Sequence, residues 1–366
     1  MATSYVLGSS LIKGLNKASV QAKVDLIDVK DFTFGNYFPV TKVNQFTWRT
    51  LTNQRTGVHV AADIVADNSS VARKRRPIFE SVDGDLPRIA IAREMNRKQL
   101  KDYYVALALA GNDAGAKQLV QYWSDDVEYC FTGVQSELEY IAWALASNAG
   151  KLAFTSTNNA AIATEFNLDY EVGDNQLNTV NTPFATKASA DVIAAFIAAA
   201  TAGKALGYTM KYAFCNLKTF YQIQSTDQII KQCASYVSNL TGTSQVPDLV
   251  AVNAMLAKQA WLNGMQLIVI DQDITRELAT GAPTTGNPFA DDRIIFSPSA
   301  ILGSTQYDIL PDENKNIIRA ERAHTVVKKY SIPEPQTEVT IGEADACPVL
   351  DSAYRNIYLR TDGNSW

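Results

Sequence analysis

The chain has 366 residues and a mass of 40.1 kDa, enough for two or three domains with a buried core. Hydrophobic residues make up 46% of the sequence and charged residues 19%, so the chain is globular and not intrinsically disordered. A formal charge of −5 argues against a protein whose whole surface binds nucleic acid, and no apolar run reaches the roughly 18 residues of a membrane span.

Residues 1–42 form a mixed polar and apolar arm without a long periodic element. Aromatic residues cluster near its end, among them Phe32, Phe34 and Phe38, before Pro39 stops any helix. Because this segment is too short to build its own core, we expect these three rings to be buried mainly against a neighbouring subunit. The N-terminal residues lack a basic stretch followed by an apolar one, so we expect no secretory signal.

Residues 43–92 alternate apolar and polar side chains and predict an extended two-stranded excursion with a mobile tip. Residues 49–98 hold ten Lys or Arg against six Asp or Glu, so the excursion is basic on an acidic body. Its tip contains the run Arg73-Lys74-Arg75-Arg76.

Three interpretations of this basic run are open: a solvated loop tip, a DNA contact, and a tip that docks on an acidic surface of a neighbouring subunit. Docking is favoured, because no aromatic residues are interleaved for base stacking. The acidic side chains of the long helix that follows are one candidate surface: Asp125, Asp126, Glu128, Glu137 and Glu139.

The rest of the chain predicts one long helix and a mixed α/β region. Residues 113–148 carry apolar side chains at a spacing of three to four, which indicates a single long helix. Strands and helices then alternate to about residue 305, and the last 45 residues read as strands and turns. Residues 272–292 are rich in Thr, Gly, Pro and Asp and predict a long mobile loop.

Residues for catalysis are scarce. No phosphate-binding glycine loop and no nucleophile elbow occurs, and the ligands for zinc are scattered. Wide spacing of the cysteines favours buried free thiols in a reducing compartment. The cysteines and histidines are Cys130, Cys215, Cys233, Cys347, His59 and His324.

Paired carboxylates leave one enzymatic alternative open. Asp271 and Asp273 follow a buried strand, MQLIVID, at a place where α/β enzymes hold ligands. A soluble α/β enzyme that uses these two residues is therefore a rival interpretation, although a solvated strand end is the commoner arrangement. Asp291-Asp292 is a second such pair. Asp125 and Asp126 form a third, but they cannot chelate together, since adjacent helical residues point about 100° apart.

The order of these parts resembles the major capsid proteins of tailed bacteriophages, and above all the lambda-type major capsid protein E family. Three stretches carry the resemblance. GNYFPVTKVNQFTW is similar to the family's aromatic arm, VADNSSVARKRRP with DLPRIAIAREMNRKQL to its extension loop and spine helix, and Leu302-Gly303-Ser304-Thr305-Gln306 to its return strand.

The resemblance implies an α+β fold of the Hong Kong 97 type. It has an N-terminal arm, a β-hairpin extension loop, a peripheral domain with a long spine helix, and an axial α/β domain. On this sequence the parts are the arm (1–42), the extension loop (43–92), the peripheral domain (93–205), the axial domain (206–305) and the return to the peripheral domain (306–366).

The implied function is that of a head protein that forms hexamers and pentamers in an icosahedral shell around double-stranded DNA. It is no enzyme and needs no cofactor or metal. Its partners are copies of itself, with portal, scaffold and decoration proteins, and DNA held by weak non-specific contacts. It is assembled in the bacterial cytoplasm and ends in the virion, without a membrane. An encapsulin-like nanocompartment shell is the alternative with the same fold.

Overall fold

The apolar patterns of the sequence fold into two mixed sheets, one long helix and a layer of short helices. The computed structural model describes residues 17–52, 80–109, 111–155, 159, 166–234, 245–277, 283–311, 317–351 and 353–366. The helices are α1 (Lys17–Leu26), α2 (Phe34–Tyr37), α3 (Arg97–Leu109), α4 (Gly111–Ser147), α5 (Val192–Ala205), α6 (Leu217–Gln224), α7 (Asp227–Cys233) and α8 (Leu249–Lys258).

Strands make up a similar share of the described chain. They are β1 (Val40–Lys42), β2 (Thr47–Thr52), β3 (Glu80–Asp85), β4 (Arg88–Met95), β5 (Lys151–Ala153), β6 (Asn167–Asp169), β7 (Leu177–Thr179), β8 (Tyr212–Asn216), β9 (Gln266–Ile270), β10 (Ile274–Glu277), β11 (Pro283–Gly286), β12 (Arg293–Ser297), β13 (Ser304–Asp308), β14 (Ile318–Arg322), β15 (Thr325–Pro333), β16 (Gln336–Val349) and β17 (Ile357–Arg360).

Helix α4 is the long helix that the spacing of apolar residues predicts. It runs through 37 residues, or about 55 Å at 1.5 Å per residue. Its inward stripe is fully buried and consists of Val127, Phe131, Val134, Leu138, Ile141 and Leu145. Gly133 lets the helix approach β4 closely, because a Cβ at this position would lie 2.9 Å from Ile91.

A six-stranded sheet lies under α4. Five of its strands lie in the order β1-β13-β16-β15-β14. The sixth strand, β4, pairs antiparallel with β16 on the same edge as β13, further along β16. The 14-residue β16 therefore organises the sheet, with β15 along one edge and β13 and β4 along the other. Helix α1 packs beside α4 on β14 through Val20, Val24 and Ile27.

A second sheet of five strands has the order β7-β17-β12-β8-β9. One of its faces packs on α5 to α8 in a second core. Its other face carries Phe214 and Ile295 into the main core, where they join the C-terminal half of α4. Strands β8 and β9 are parallel neighbours, so the chain must cross over between them, and the connecting helices lie on one face of this sheet.

The boundaries differ from those predicted in two places. Helix α5, assigned to the peripheral part by the sequence, packs with the five-stranded sheet, and β17 from the last segment pairs within that sheet. The predicted loop at residues 272–292 contains an antiparallel hairpin, β10 with β11, on either side of residues 278–282, which lie outside the described residues. Four-residue strands that include Pro283 and Gly286 give too weak a sequence signal for a hairpin.

Within the described part of the chain, none of the helices is long and apolar enough to cross a bilayer.

Candidate assembly surfaces

The aromatic residues of the arm are part of the chain's own core. Phe34 is 3% exposed and Phe38 is fully buried. The prediction that these two rings are buried mainly against a neighbouring subunit is therefore wrong, because their surface is already covered within the chain. Phe32 is half-buried at the edge of the same core, and its role as a subunit contact stays a prediction.

The covering groups come from α4 and the five-stranded sheet. Trp143 on α4 is fully buried and contacts Phe38 and Tyr37 edge-to-face, with ring centroids 6.0 and 5.3 Å apart. Phe214 on β8 packs on Tyr37 at 5.4 Å. The sequence could not show this, because the partners lie more than 100 residues away.

Glu139 fixes the arm to α4 through hydrogen bonds. Its carboxylate accepts from the Thr33 hydroxyl at 2.5 Å, from the backbone N–H of Phe34 at 2.8 Å and from the indole N–H of Trp143 at 2.7 Å. The side chain is fully buried, and burial raises its pKa, although these hydrogen bonds oppose the rise. Because all three donors are neutral, the anion is held by hydrogen bonds.

The base of the extension loop is held firmly on the body. Trp48 on β2 stacks on Tyr170 with centroids 5.9 Å apart, and Gly84 on β3 leaves room for its indole. The Gln306 side chain accepts from the backbone N–H of Arg49 at 3.1 Å and donates to its carbonyl at 2.9 Å. The run 73–76 lies outside the described residues, so its role as a contact stays a prediction.

The acidic side chains of α4 are mostly engaged within the chain. Asp126 pairs with Arg93 at 3.6 Å, Glu128 with Lys23 at 3.1 Å, and Glu137 with Arg276 at 2.8 Å. Glu139 is buried under the arm, which leaves Asp125 and Glu128 exposed. This helix therefore offers a basic tip far less negative charge than its sequence indicates.

Among the described residues, those considered for chemistry do not form a reactive site, and His59 lies outside the described part of the chain. Asp271 and Asp273 are exposed at the end of β9, and the described residues contain no group of three His, Cys, Asp or Glu side chains placed to hold a metal ion. His324 is buried beside Gln135, and burial lowers its pKa to about 4. Burial raises the pKa of the Cys130 thiol to about 11, as expected for a structural cysteine.

Several large apolar side chains remain exposed, which is the surface feature that the sequence reasoning missed. They are Leu26, Val40, Phe46, Tyr104, Val105, Tyr129, Tyr221, Val246, Val250, Trp261, Ile301 and Leu310. Three of them, Val246, Val250 and Trp261, flank or belong to α8. An apolar sequence on both sides of that helix is the signal that could have revealed them.

Comparison with known proteins gives a match in fold. No family model matches the sequence, and no curated protein matches it. The structure of a putative capsid protein of a prophage of E. coli CFT073 is similar over 94% of this chain and 99% of its own, at 12% identity and a TM-score of 0.56. A phage-related protein of Bordetella bronchiseptica is similar at 10% identity, with 95% of this chain and 98% of its own covered, and a TM-score of 0.49.

The chain shares the fold of the prophage protein. The likeness takes in nearly the whole of both chains. The α+β fold of the Hong Kong 97 type, implied by the resemblance in sequence, is confirmed.

Proposed function

We propose that the chain is the major capsid protein of a tailed phage or prophage, whose copies form hexamers and pentamers in an icosahedral shell around double-stranded DNA. The observation that carries this proposal is the fold shared with a putative prophage capsid protein over almost the full length of both chains. The role is structural, and no catalytic residue is required.

Physical features of the chain support self-association. The described base of the extension loop is fixed by Trp48 and Gln306, while large apolar side chains such as Leu26 stay exposed. Such surfaces are a liability for a monomer and useful in a lattice. Each contact can be weak, because removing one subunit from a shell breaks many contacts together.

The remaining partners follow from the same proposal. Portal, scaffold and decoration proteins are the partners of such a shell, which is assembled in the bacterial cytoplasm and becomes part of the virion. The net charge of −5 suits a container that holds DNA by weak non-specific contacts, since a strongly basic inner surface would bind it tightly.

Electron microscopy of the purified protein tests the proposal. We expect regular shells, or rings of five and six subunits, from the chain expressed alone or with a scaffold protein. Sedimentation should show particles far larger than the 40.1 kDa subunit. A protein that stays a monomer or small oligomer under all of these conditions would overturn the proposal, and shells filled with a protein cargo in place of DNA would favour a nanocompartment.

A further inference from the structure

Helix α8 is apolar on the side that faces solvent as well as on the side that faces the core. Val252 and Leu256 point into the second core and are at most 1% exposed. On the opposite side Val250 is 75% exposed, and Ala254 and Ala257 are exposed too. A helix that is apolar all round is normally covered on both sides, so this one lacks a partner within the described chain.

The exposed apolar residues on α8 and in the segments on either side of it are here named the outer stripe. It consists of Val246, Val250, Ala254, Ala257 and Trp261, in which Val246 precedes the helix and Trp261 lies in the 3-10 turn after it. Val246 is 55% exposed and Trp261 63%. The exposed apolar area of the stripe is on the order of 400 Å², the size at which a surface patch on a monomer is often functional.

Opposite charges lie at the two ends of the outer stripe. Asp248 caps the N-terminus of α8 and accepts from the backbone N–H of Ala251 at 2.8 Å. At the other end Lys258 is exposed in the last turn, and the Lys204 ammonium lies 5.5 Å from the centre of the Trp261 ring. The stripe is therefore acidic where it begins and basic where it ends.

Bulk is also distributed symmetrically along the outer stripe. The two small residues, Ala254 and Ala257, lie between Val250 on one side and Trp261 on the other. Two such helices can approach closely at the alanines when they run antiparallel. Trp261 of one copy then covers Val250 of the other, and Lys204 comes close to Asp248 of the other copy.

We propose that the outer stripe pairs with the outer stripe of a second copy, antiparallel about a two-fold axis between Ala254 and Ala257. A two-fold contact requires one surface that is complementary to itself, and both the charge and the bulk of the stripe meet that requirement. The pair concerns subunits free in solution, and so goes beyond the proposed function.

The stripe is presented by a fixed element, which keeps the entropy cost of pairing low. Asn253 on α8 donates to the carbonyl of Leu267 at 3.0 Å and accepts from its backbone N–H at 2.7 Å. This side chain therefore bonds to the backbone of β9 and holds the helix against the five-stranded sheet. With about half of the ~800 Å² per partner of a standard interface, the pair should be weak and concentration-dependent.

Sedimentation velocity of the full-length, unassembled protein at about 1 to 100 µM tests the pairing. We expect a monomer–dimer equilibrium that Trp261→Ser weakens at least tenfold, because a buried Trp side chain often dominates such a contact. Tyr221→Ser, which removes an equally exposed ring outside the stripe, should leave the equilibrium unchanged. Asp248→Asn keeps the helix cap and should weaken pairing. Its effect and that of Lys204→Gln should not add in the double variant, because both changes remove the same charge pair.

Ala254→Cys supplies a second readout that depends on geometry. Close to the axis, this cysteine should form a disulfide-linked dimer on mild oxidation, whereas wild type and Tyr221→Cys should not. A wild type that stays monomeric at the highest concentration, or an Ala254→Cys variant that does not cross-link, would overturn the inference. If Trp261→Ser alters shells but wild type shows no dimer, the stripe contacts a different surface in the shell, and the inference is equally wrong. Shells seen by electron microscopy test the proposed function separately from any of these outcomes.

Discussion

At the scale of single residues, the buried carboxylate of Glu139 holds the arm on α4. Glu139→Ala removes the acceptor from the buried donors of Phe34 and Trp143 and from the half-buried Thr33 hydroxyl, and leaves a cavity. We expect it to lower the free energy of unfolding by about 3 kcal/mol, measured by urea denaturation. Glu139→Gln keeps the volume and one acceptor oxygen and should cost less than half as much. Equal losses in the two variants would contradict this account.

The same residue should make stability depend on pH. Burial raises the pKa of Glu139 above its ordinary value of 4.5, so at a pH between the unfolded and folded pKa values the folded state holds a proton that the unfolded state has lost. This contribution to stability is complete below the unfolded pKa and disappears as the pH rises through the folded pKa. Glu139→Gln cannot titrate. We therefore expect the free energy of unfolding of Glu139→Gln, relative to wild type, to improve as the pH rises from the ordinary glutamate pKa toward neutrality. If the difference between the two proteins stays constant over this range, the pKa of Glu139 is not raised.

Gly342 on β16 marks the closest approach of the six-stranded sheet to α4. A Cβ there would lie 2.1 Å from the backbone oxygen of Cys130. Because the obstacle is backbone, Gly342→Ala must separate sheet and helix, and we expect a loss of about 3 kcal/mol or more. Gly286→Ala, a glycine in a strand with nothing within 4 Å of the added methyl group, is the matched control. It should change the free energy of unfolding by little, about 0.5 kcal/mol or less.

At the scale of elements, the periodicity of apolar residues predicted the helices and strands that are buried on one face. It did not predict burial that depends on contacts between residues far apart in the sequence. Helix α4 was predictable because its stripe repeats over many turns. The burial of Phe34 and Phe38 was not predictable, since α2 has four residues and Glu139 and Trp143 lie on another element. The outer stripe was missed for a related reason: an apolar helix predicts burial without showing which of its sides is covered.

Arg276 holds the β10–β11 hairpin on α4. Its guanidinium pairs with Glu137 at 2.8 Å and lies 3.8 Å from the centre of the Tyr140 ring. The sequence predicted that this region is mobile, whereas these contacts should protect it from hydrogen exchange. We expect Arg276→Ala to raise exchange in residues 274–277 by about tenfold, with a smaller rise for Arg276→Lys, which keeps the charge without the stacking. Rapid exchange of the hairpin in wild type would restore the sequence prediction.

Deletions of the arm separate its two parts. Removing residues 1–38 takes away α1, Phe34 and Phe38, which together fill two of the described cores. We expect this deletion to unfold or strongly destabilise the subunit. An arm buried only against a neighbouring subunit would instead leave a folded subunit that fails in assembly. Removing residues 1–16 leaves every described core residue in place, and circular dichroism should show a native melting curve. A stable subunit lacking residues 1–38 would contradict the structure.

At the scale of the whole molecule, we propose that the basic run of the extension loop docks on an acidic surface of a neighbouring subunit, and α4 is a poor candidate for that surface. Because Asp126, Glu137 and Glu139 are engaged in their own chain, we expect the acceptor for the basic run to lie mainly elsewhere on the subunit surface. Each exposed ion pair contributes only about 0–1 kcal/mol. Repeated on every subunit, that is still enough to shift an assembly equilibrium.

Replacing Arg73, Lys74, Arg75 and Arg76 with Ser should therefore leave the monomer folded and weaken assembly. Wild-type assembly should also fall as salt rises, since the Debye length shrinks from about 10 Å at 0.1 M to about 3 Å at 1 M. The control replaces four exposed lysines elsewhere with Ser: Lys42, Lys98, Lys101 and Lys187. Both variants lower the net charge equally, so a defect confined to the first assigns the effect to the loop. Normal shells from the loop variant, counted by sedimentation at both salt concentrations, would mean that its tip is merely solvated.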